Sequence, residues 1–203
     1  MASARVSGTE GYAEEADALA GRLERISFAD LHQPILHLIP AGPGRILDIG
    51  SGTGRDAAAF AAMGHEVVAV EPVAALRLRA AALHPSARIE WLDDSLPELA
   101  HLASRGSFDV VMLTAVWMHL DARRRRRAMP RVAGMVHRGG MMSLTLRHGP
   151  VPPGRRMFDV SADETVRLAE AAGLRLVLKR ENEAGASGRT DVRWTRLAFT
   201  KAD

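Results

Sequence analysis

The sequence predicts an α/β fold: a doubly wound, mostly parallel sheet with helices on both faces and an N-terminal helical cap. Three observations lead there. Beyond Pro43, short runs of Val, Ile, Leu and Ala alternate with stretches of helical apolar spacing. Gly50, Gly52 and Gly54, at every second position, join the first such run to the first such helix. The last two runs have no helix between them and pair most simply as antiparallel neighbours.

Residues 1–9 read as frayed. Glu10–Ile26 and Phe28–Leu38 then carry helical stripes, Leu19, Leu23 and Ile26 in the first and Leu31, Ile35 and Leu38 in the second. Pro40-Ala-Gly-Pro43 stops the second helix, which divides the chain into a cap over residues 1–40 and a main domain over 41–203. Arg45–Ile49 is the first strand, followed by a helix ending at Gly64, a strand over Glu66–Val70 and a helix over Val73–His84 closed by Pro85. Arg88–Leu92 and Phe108–Thr114 are the third and fourth strands. Asp121 caps a helix running to about His137, kinked or restarted at Pro130 and ended by Gly139-Gly140. Met141–Arg147 is a strand, and Ser161-Ala-Asp-Glu164 is a capping box opening a helix that Gly173 ends. Leu174–Arg180 and Val192–Thr200 are the closing strands, joined by a loop containing Gly, Ser and Asn.

At 203 residues and 47% apolar content the chain fills one domain and can bury a core without staples. Zero cysteine excludes disulfides, thiolate zinc sites, iron–sulfur clusters and a Cys nucleophile. The eight histidines are scattered without metal-ligand spacing, and His32 and His37, five apart, do not share a helix face. No metal is expected. No run reaches the roughly 18–20 apolar residues of a membrane span, and the N-terminus lacks an apolar leader core, so a cytoplasmic location is the expectation. The net charge is only +3, and 25 of the 27 basic residues are arginine, so the basic balance is no nucleic-acid signature by itself.

The chemistry concentrates in Arg45-Ile-Leu-Asp48-Ile-Gly50-Ser51-Gly52-Thr-Gly54-Arg-Asp56. Glycines between strand and helix permit a tight turn and bring backbone N–H groups close to a ligand. Asp48 stands two residues ahead of the first glycine, and Glu71-Pro72 closes the second strand. An acid at that strand end can take the two ribose hydroxyls of an adenosine cofactor, against the plainer role of capping a helix or pairing with arginine. A dinucleotide fingerprint requires a glycine where Arg55 stands, and an acid just before the glycines suits a free amino group better than a pyrophosphate.

LDIGSGTG followed by VVAVEP resembles motifs I and II of the class I S-adenosylmethionine-dependent methyltransferases. IEWLDDSLPEL and FDVVMLTAVWMHL resemble the family's motifs after the third strand and at the fourth. The resemblance implies a Rossmann-like methyltransferase fold of seven strands whose last inserts antiparallel. It also implies S-adenosyl-L-methionine as cofactor and S-adenosyl-L-homocysteine as product. Carried onto this chain, Asp48 and the backbone of Gly50, Ser51, Gly52 and Gly54 hold the methionine end. Glu71 and Pro72 serve the ribose, Asp93 and Asp94 the adenine, and Thr114 and Ala115 the sulfonium end, with Asp56 supporting the loop.

Methyl transfer needs proximity and alignment above all, and a base only where the acceptor must lose a proton. His119, five residues beyond Thr114, is the candidate base, with a packing histidine as the competing reading. Trp117 is a candidate acceptor contact or a core residue. Tyr12 in the cap, and Arg147, His148, Arg155 and Arg156 around the Pro-containing loop after the fifth strand, are candidates to hold an anionic acceptor. The run Arg123–Arg127 circles a helix completely and forms no single basic face. The amino-methylating Asn/Asp-Pro-Pro-aromatic motif is missing after the fourth strand. The reading is therefore methyl transfer to a small-molecule acceptor, with no membrane partner. A nucleic-acid methyltransferase and a non-catalytic cofactor-binding module are the alternatives.

Overall fold

A computed structural model describes residues 6–184 and 190–202. Its strands are β1 (Arg45–Ile49), β2 (Glu66–Val70), β3 (Ile89–Leu92), β4 (Phe108–Leu113), β5 (Val136–His148), β6 (Leu174–Ala184) and β7 (Arg193–Lys201). They form one seven-stranded sheet in the order β3-β2-β1-β4-β5-β7-β6. β1 to β5 run parallel, and β7 lies antiparallel to both β5 and β6. The helices are α1 (Ala16–Leu23), α2 (Phe28–His32), α3 (Arg55–Ala62), α4 (Ala74–Leu83), α5 (Ala122–Met135) and α6 (Ala162–Ala171). Chain direction away from β1 reverses between β2 and β4, and this switch point opens a crevice at the carboxyl edge.

The period-2 alternation of the strands builds two cores. Leu47, Ile49, Val68, Val70, Val111 and Leu113 face one way, against Ala128, Met129 and Val132 of α5 and Ala169 of α6. Ile46, Val67, Ala69, Val110 and Met112 face the other way, against Ala57 and Phe60 of α3 and Ile35 of the cap. Each fully buried Leu or Ile contributes about 1.5–3 kcal/mol, so the buried strands anchor the loops at their ends.

Several boundaries differ from expectation for local reasons. The first cap helix starts only at Ala16, because Gly8 and Gly11 hold left-handed backbone (φ 100° and 76°) ahead of it. The second turns into a 3₁₀ segment at Gln33–Leu38, where Pro34 supplies no N–H to continue the α pattern. Pro130 sits inside an unbroken α5; it faces solvent, as does Arg126 one turn back, so the carbonyl that the missing N–H leaves unpaired is open to water.

Gly139-Gly140 does not end that helix but lies within β5, which starts directly at Val136. A Cβ on Gly140 would stand 2.9 Å from the Asp109 carbonyl oxygen and 3.0 Å from that of His137. The glycine thus lets β5 pass β4 where their register shifts between Phe108 and Val110. β6 and β7 extend past the expected limits to Ala184 and Lys201. Residues 1–5 of the stretch 1–9 expected to fray, and residues 185–189 of the loop expected to join the closing strands, lie outside the described residues. Among the described residues no helix is long and apolar enough to cross a membrane.

Gly140→Ala is expected to destabilise the fold by about 2 kcal/mol in urea denaturation. Gly134→Ala, where the added methyl meets nothing in α5, should leave stability equal or raise it by up to about 1 kcal/mol.

Candidate active site

A cavity of about 1180 Å³ opens at the carboxyl edge of the sheet, between the strand ends, α1 and α2. Its floor starts at the glycine loop. The N–H groups of Gly50 and Ser51 donate to the Val70 carbonyl at 2.8 and 3.0 Å, locking the loop to the end of β2. Gly50 has φ 71°, and its missing side chain leaves room for Val116; a Cβ would stand 2.5 Å from that valine's methyl.

Two buried carboxyls flank this loop. Glu71 accepts the N–H of Gly52 on one oxygen and that of Val73 on the other, each at 2.9 Å. Burial nevertheless raises its pKa from 4.5 to about 7, against the pull of those two N–H groups. Asp48 is 2% exposed, and its Oδ2 has no hydrogen-bond partner among the described residues. Burial, reinforced by the carboxyls of Asp56 and Glu71, pushes Asp48 well above its ordinary range. The hydroxyl of Ser51 is likewise buried without a partner. This corner is built to receive positive charge and hydrogen-bond donors from something else.

Asp56, at the start of α3, is the opposite case. Its Oδ2 accepts from His32 Nε2 at 2.8 Å and from the Thr114 hydroxyl at 3.1 Å, and its Oδ1 accepts from Arg55 Nε at 2.8 Å. Burial alone would raise it, but His32 and Arg55 hold it down at about 2. His32 lies beside the ring of Phe28, at 4.7 Å between centroids, and its Nδ1 faces Arg196 Nη1 at 3.3 Å. Arg196 Nη2 donates to the Leu31 carbonyl at 2.7 Å, so cap, α3, β4 and β7 meet at one carboxylate.

Across the cavity, the Tyr12 hydroxyl stands 3.0 Å from His119 Nε2, and His119 Nδ1 stands 2.9 Å from the Arg156 carbonyl. Nδ1 therefore carries the proton and donates to that carbonyl, leaving Nε2 to accept from Tyr12. Burial lowers His119 below its ordinary value, which keeps it neutral, and raises Tyr12. The Arg155 guanidinium lies 4.0 Å over the Tyr12 ring and donates to Glu15 Oε2 at 2.7 Å. Ala115 holds left-handed backbone (φ 61°), with its N–H donating to Thr145 Oγ1 at 2.8 Å, a strained turn at the end of β4.

Of the residues singled out from sequence, Asp48, Gly50, Ser51, Gly52, Asp56, Glu71, Pro72, Asp94, Thr114, Ala115, Tyr12, His119, Arg147 and Arg155 line this cavity. Gly54 lies behind the loop, packed under Trp91. Asp93 turns outward, 54% exposed, and pairs with Arg77 at 2.8 Å. The Asp94 carboxylate accepts the N–H groups of Ser95, Ala100 and His101 and so shapes the loop after β3. Arg156 donates to the Ser7 hydroxyl at 3.1 Å, outside the lining.

Two candidates for acceptor contact are corrected. Trp117 is 0% exposed and belongs to the core under α5, because the 3₁₀ turn Trp117–His119 points it inward while its neighbour His119 faces the cavity. His148 follows Arg147 on β5 and so points to the other face, where it meets Thr195 Oγ1 at 2.9 Å in a separate pocket. Sequence reasoning missed His32, Arg180, Trp194 and Arg196, whose partners or neighbours are distant in the chain.

Residues 46–140, which hold the glycine loop, both buried acids and the β4 turn, match a family model described as a methyltransferase domain. This segment is similar to that family. An uncharacterized methyltransferase of Mycobacterium tuberculosis and one of Mycobacterium bovis are each 32% identical to the chain over 108 residues, covering 53% of it. The match spans 41% of the length of those relatives. Among solved structures, a TehB-like S-adenosylmethionine-dependent methyltransferase from Corynebacterium glutamicum superposes with a TM-score of 0.69 at 21% identity, covering 94% of this chain and 96% of that one. The N-methyltransferase NodS of Bradyrhizobium japonicum, in complex with S-adenosylhomocysteine, gives a TM-score of 0.71 at 15% identity, covering 94% of this chain and 98% of that one. A Burkholderia thailandensis 1,6-didemethyltoxoflavin N1-methyltransferase, with that compound and S-adenosylhomocysteine bound, gives 0.69 at 18% identity, covering 100% of this chain and 93% of that one. Residues 46–140 and the closing strands thus share one fold with these proteins.

Glu71 binds its proton more tightly folded than unfolded, so it makes the free protein less stable as pH rises from 4.5 to about 7. Glu71→Gln should flatten that slope in melting curves recorded across the interval. His32→Ala removes one partner of a buried carboxylate and is expected to cost about 3 kcal/mol, read by denaturant titration.

Proposed function

We propose that the chain binds S-adenosyl-L-methionine and transfers its methyl group to a small anionic acceptor. The observation that carries this reading is the unpartnered Oδ2 of Asp48, buried beside Glu71 under the glycine loop. An ammonium group at Asp48 would supply the missing positive charge, and ribose hydroxyls can donate to the second lone pairs of the Glu71 oxygens. Asp48, Ser51 and Gly52 hold the methionine end, Glu71 and Pro72 the ribose. Asp94 and Ser95 line the adenine end, since Asp93 is engaged with Arg77. Small-molecule chemistry is supported by the toxoflavin-type enzyme among the structures of the same fold.

When bound, S-adenosylmethionine supplies a methyl group on positively charged sulfur, which leaves with the carbon–sulfur electron pair. The chain's residues contribute alignment and proton handling. Thr114 and Ala115 directly follow β4 and line the cavity, and the methyl group would face the acceptor beside them. Where the acceptor loses a proton, the Tyr12 oxygen receives it while the Tyr12 proton passes to His119 Nε2. The positive field of Arg155 and Arg147 lowers the proton affinity of both groups: it favours the anionic form of Tyr12 and works against protonation of His119.

A nucleic-acid substrate finds little support in the arginine run. Arg125 is 3% exposed and donates to both oxygens of Glu164, at 3.0 and 2.9 Å to the Nη2 nitrogen, while Arg127 pairs with Glu98 on another side of α5.

Calorimetric titration with S-adenosylhomocysteine, with NAD as control, tests the cofactor: binding of the former alone is expected, and binding of NAD alone would overturn the reading. Glu71→Ala should weaken that binding by about 1.5–3 kcal/mol. Affinity should also climb as pH rises towards about 7 and level off above it, because donors from the ribose favour ionised Glu71. His119→Ala and Tyr12→Phe should lower turnover while leaving S-adenosylhomocysteine affinity within about twofold; unchanged turnover would make the pair structural.

A further inference from the structure

The side chain that would take an acceptor's proton stands on backbone that no helix holds. Tyr12 lies four residues ahead of α1, in a run of turns where its N–H donates to the Thr9 carbonyl at 3.3 Å. Gly8 and Gly11, close on its N-terminal side, hold left-handed backbone. Such a segment has no hydrogen-bonded ladder to aim a side chain, so its neighbours must do so.

Arg155 is placed to aim it. Its side chain is 6% exposed, and its guanidinium lies 4.0 Å over the Tyr12 ring. From the same group Nη1 donates to the Glu10 carbonyl at 3.2 Å and Nη2 to Glu15 Oε2 at 2.7 Å, so the tyrosine is bracketed before and after in the chain. The turn at Gly11 closes around that guanidinium: a Cβ there would stand 2.2 Å from Nη1 and 3.0 Å from the Gly154 carbonyl oxygen. The next residue, Arg156, donates to the Ser7 hydroxyl and offers its carbonyl to His119 Nδ1. Two consecutive residues of the loop after β5 thus hold both members of the pair, whose rings meet edge to face.

The other arginines of the lining are placed differently. Arg55 pairs with Asp56, Arg196 donates to the Leu31 carbonyl and Arg147 to the Gly149 carbonyl, while Arg22, Arg25 and Arg180 are exposed. Arg147 and Glu71 reach Tyr12 through their fields, as Glu10 and Arg147 reach His119. Among the described residues, Arg155 is the arginine that stacks on the Tyr12 ring.

We propose that Arg155 is the positioning residue of the proton-accepting pair: one guanidinium locks the Gly11 turn and the Tyr12 ring so that the hydroxyl meets His119 Nε2. The proposal rests on the proton-handling role given to that pair above and adds the group that assembles it. A planar guanidinium lies flat on a ring while its edge donates to two oxygens, an arrangement that an ammonium, a compact point charge, does not reproduce. Arg155 therefore serves the site through Tyr12 and not by holding the acceptor.

The test uses the fact that Tyr12 is the chain's only tyrosine, so protein carrying carbon-13 tyrosine gives a single tyrosine signal by magnetic resonance. In the parent protein, ring-to-ring Overhauser contacts with His119 are expected. The Tyr12 Cζ resonance should also follow the titration of that histidine, because protonation turns Nε2 from acceptor into donor; His119→Gln identifies the histidine being followed. Arg155→Gln, Arg155→Lys and Gly11→Ala should each lose both signatures, the last by pushing the guanidinium away from the opposite side of the contact. Unchanged amide resonances in the sheet verify that each variant is folded. Ring contacts and linked titration kept in Arg155→Gln or Gly11→Ala, or missing from the parent protein, would overturn the proposal. Their retention in Arg155→Lys would reduce the role to charge and overturn it equally. Neither signature needs cofactor or acceptor, so failure of S-adenosylhomocysteine to bind is a separate result that overturns the cofactor reading and not the placement of Tyr12 by Arg155.

Discussion

The buried carboxylate of Asp56 is the fastening on which the rest of the site depends. It begins α3 directly after the glycine loop, and it takes hydrogen bonds from the cap through His32 and from the end of β4 through Thr114. A lone charge at that depth would be costly, and His32 together with Arg55 keeps it ionised. Removing any one partner leaves the others arranged around a charge that lacks compensation. The glycine loop, the cap and the β4 turn are therefore set as a unit, and the cavity between them inherits its shape from one ion and its donors.

Around that fixed point, neighbouring acids are held in opposite states. Asp56 is satisfied within the protein, whereas Asp48 is buried at the same strand edge with one oxygen unpartnered. The contrast separates structure from readiness to bind: the first acid organises the loop, the second awaits a donor. Glu71 stands between them, with a backbone N–H on each oxygen but insufficient positive charge to offset burial. Such a group changes its protonation when a ligand supplies donors, which ties occupancy of the site to proton release.

Much of the fold was legible because its signals are local. Asp48, the alternating glycines and Glu71 lie at strand ends that the Val- and Ala-rich runs announce, and the helix-free final pair marks the antiparallel strand. The Gly139-Gly140 pair misled because a glycine ending a helix and a glycine permitting close strand passage look identical without the neighbouring carbonyls. Pro130 misled in the same way, since its cost depends on which face of α5 meets water. The site's long-range partnerships, His32 with Asp56 and Tyr12 with His119, join residues 24 and 107 positions apart and have no spacing signature. Trp117 and Trp194 illustrate the remaining gap. Both stand near strand ends, but a 3₁₀ turn directs the first into the core, while its strand register directs the second to the cavity.

The antiparallel hairpin of β6 and β7 occupies one margin of the sheet and supplies Arg180 and Trp194, an exposed and a half-buried side chain, to the cavity. Substitution of the exposed Arg180 should change stability by only about 0.5 kcal/mol, unlike changes near Asp56. The fold thus keeps the donors of Asp56 off this margin: an exposed side chain on the hairpin can be exchanged while the glycine loop, the cap and the β4 turn keep their arrangement.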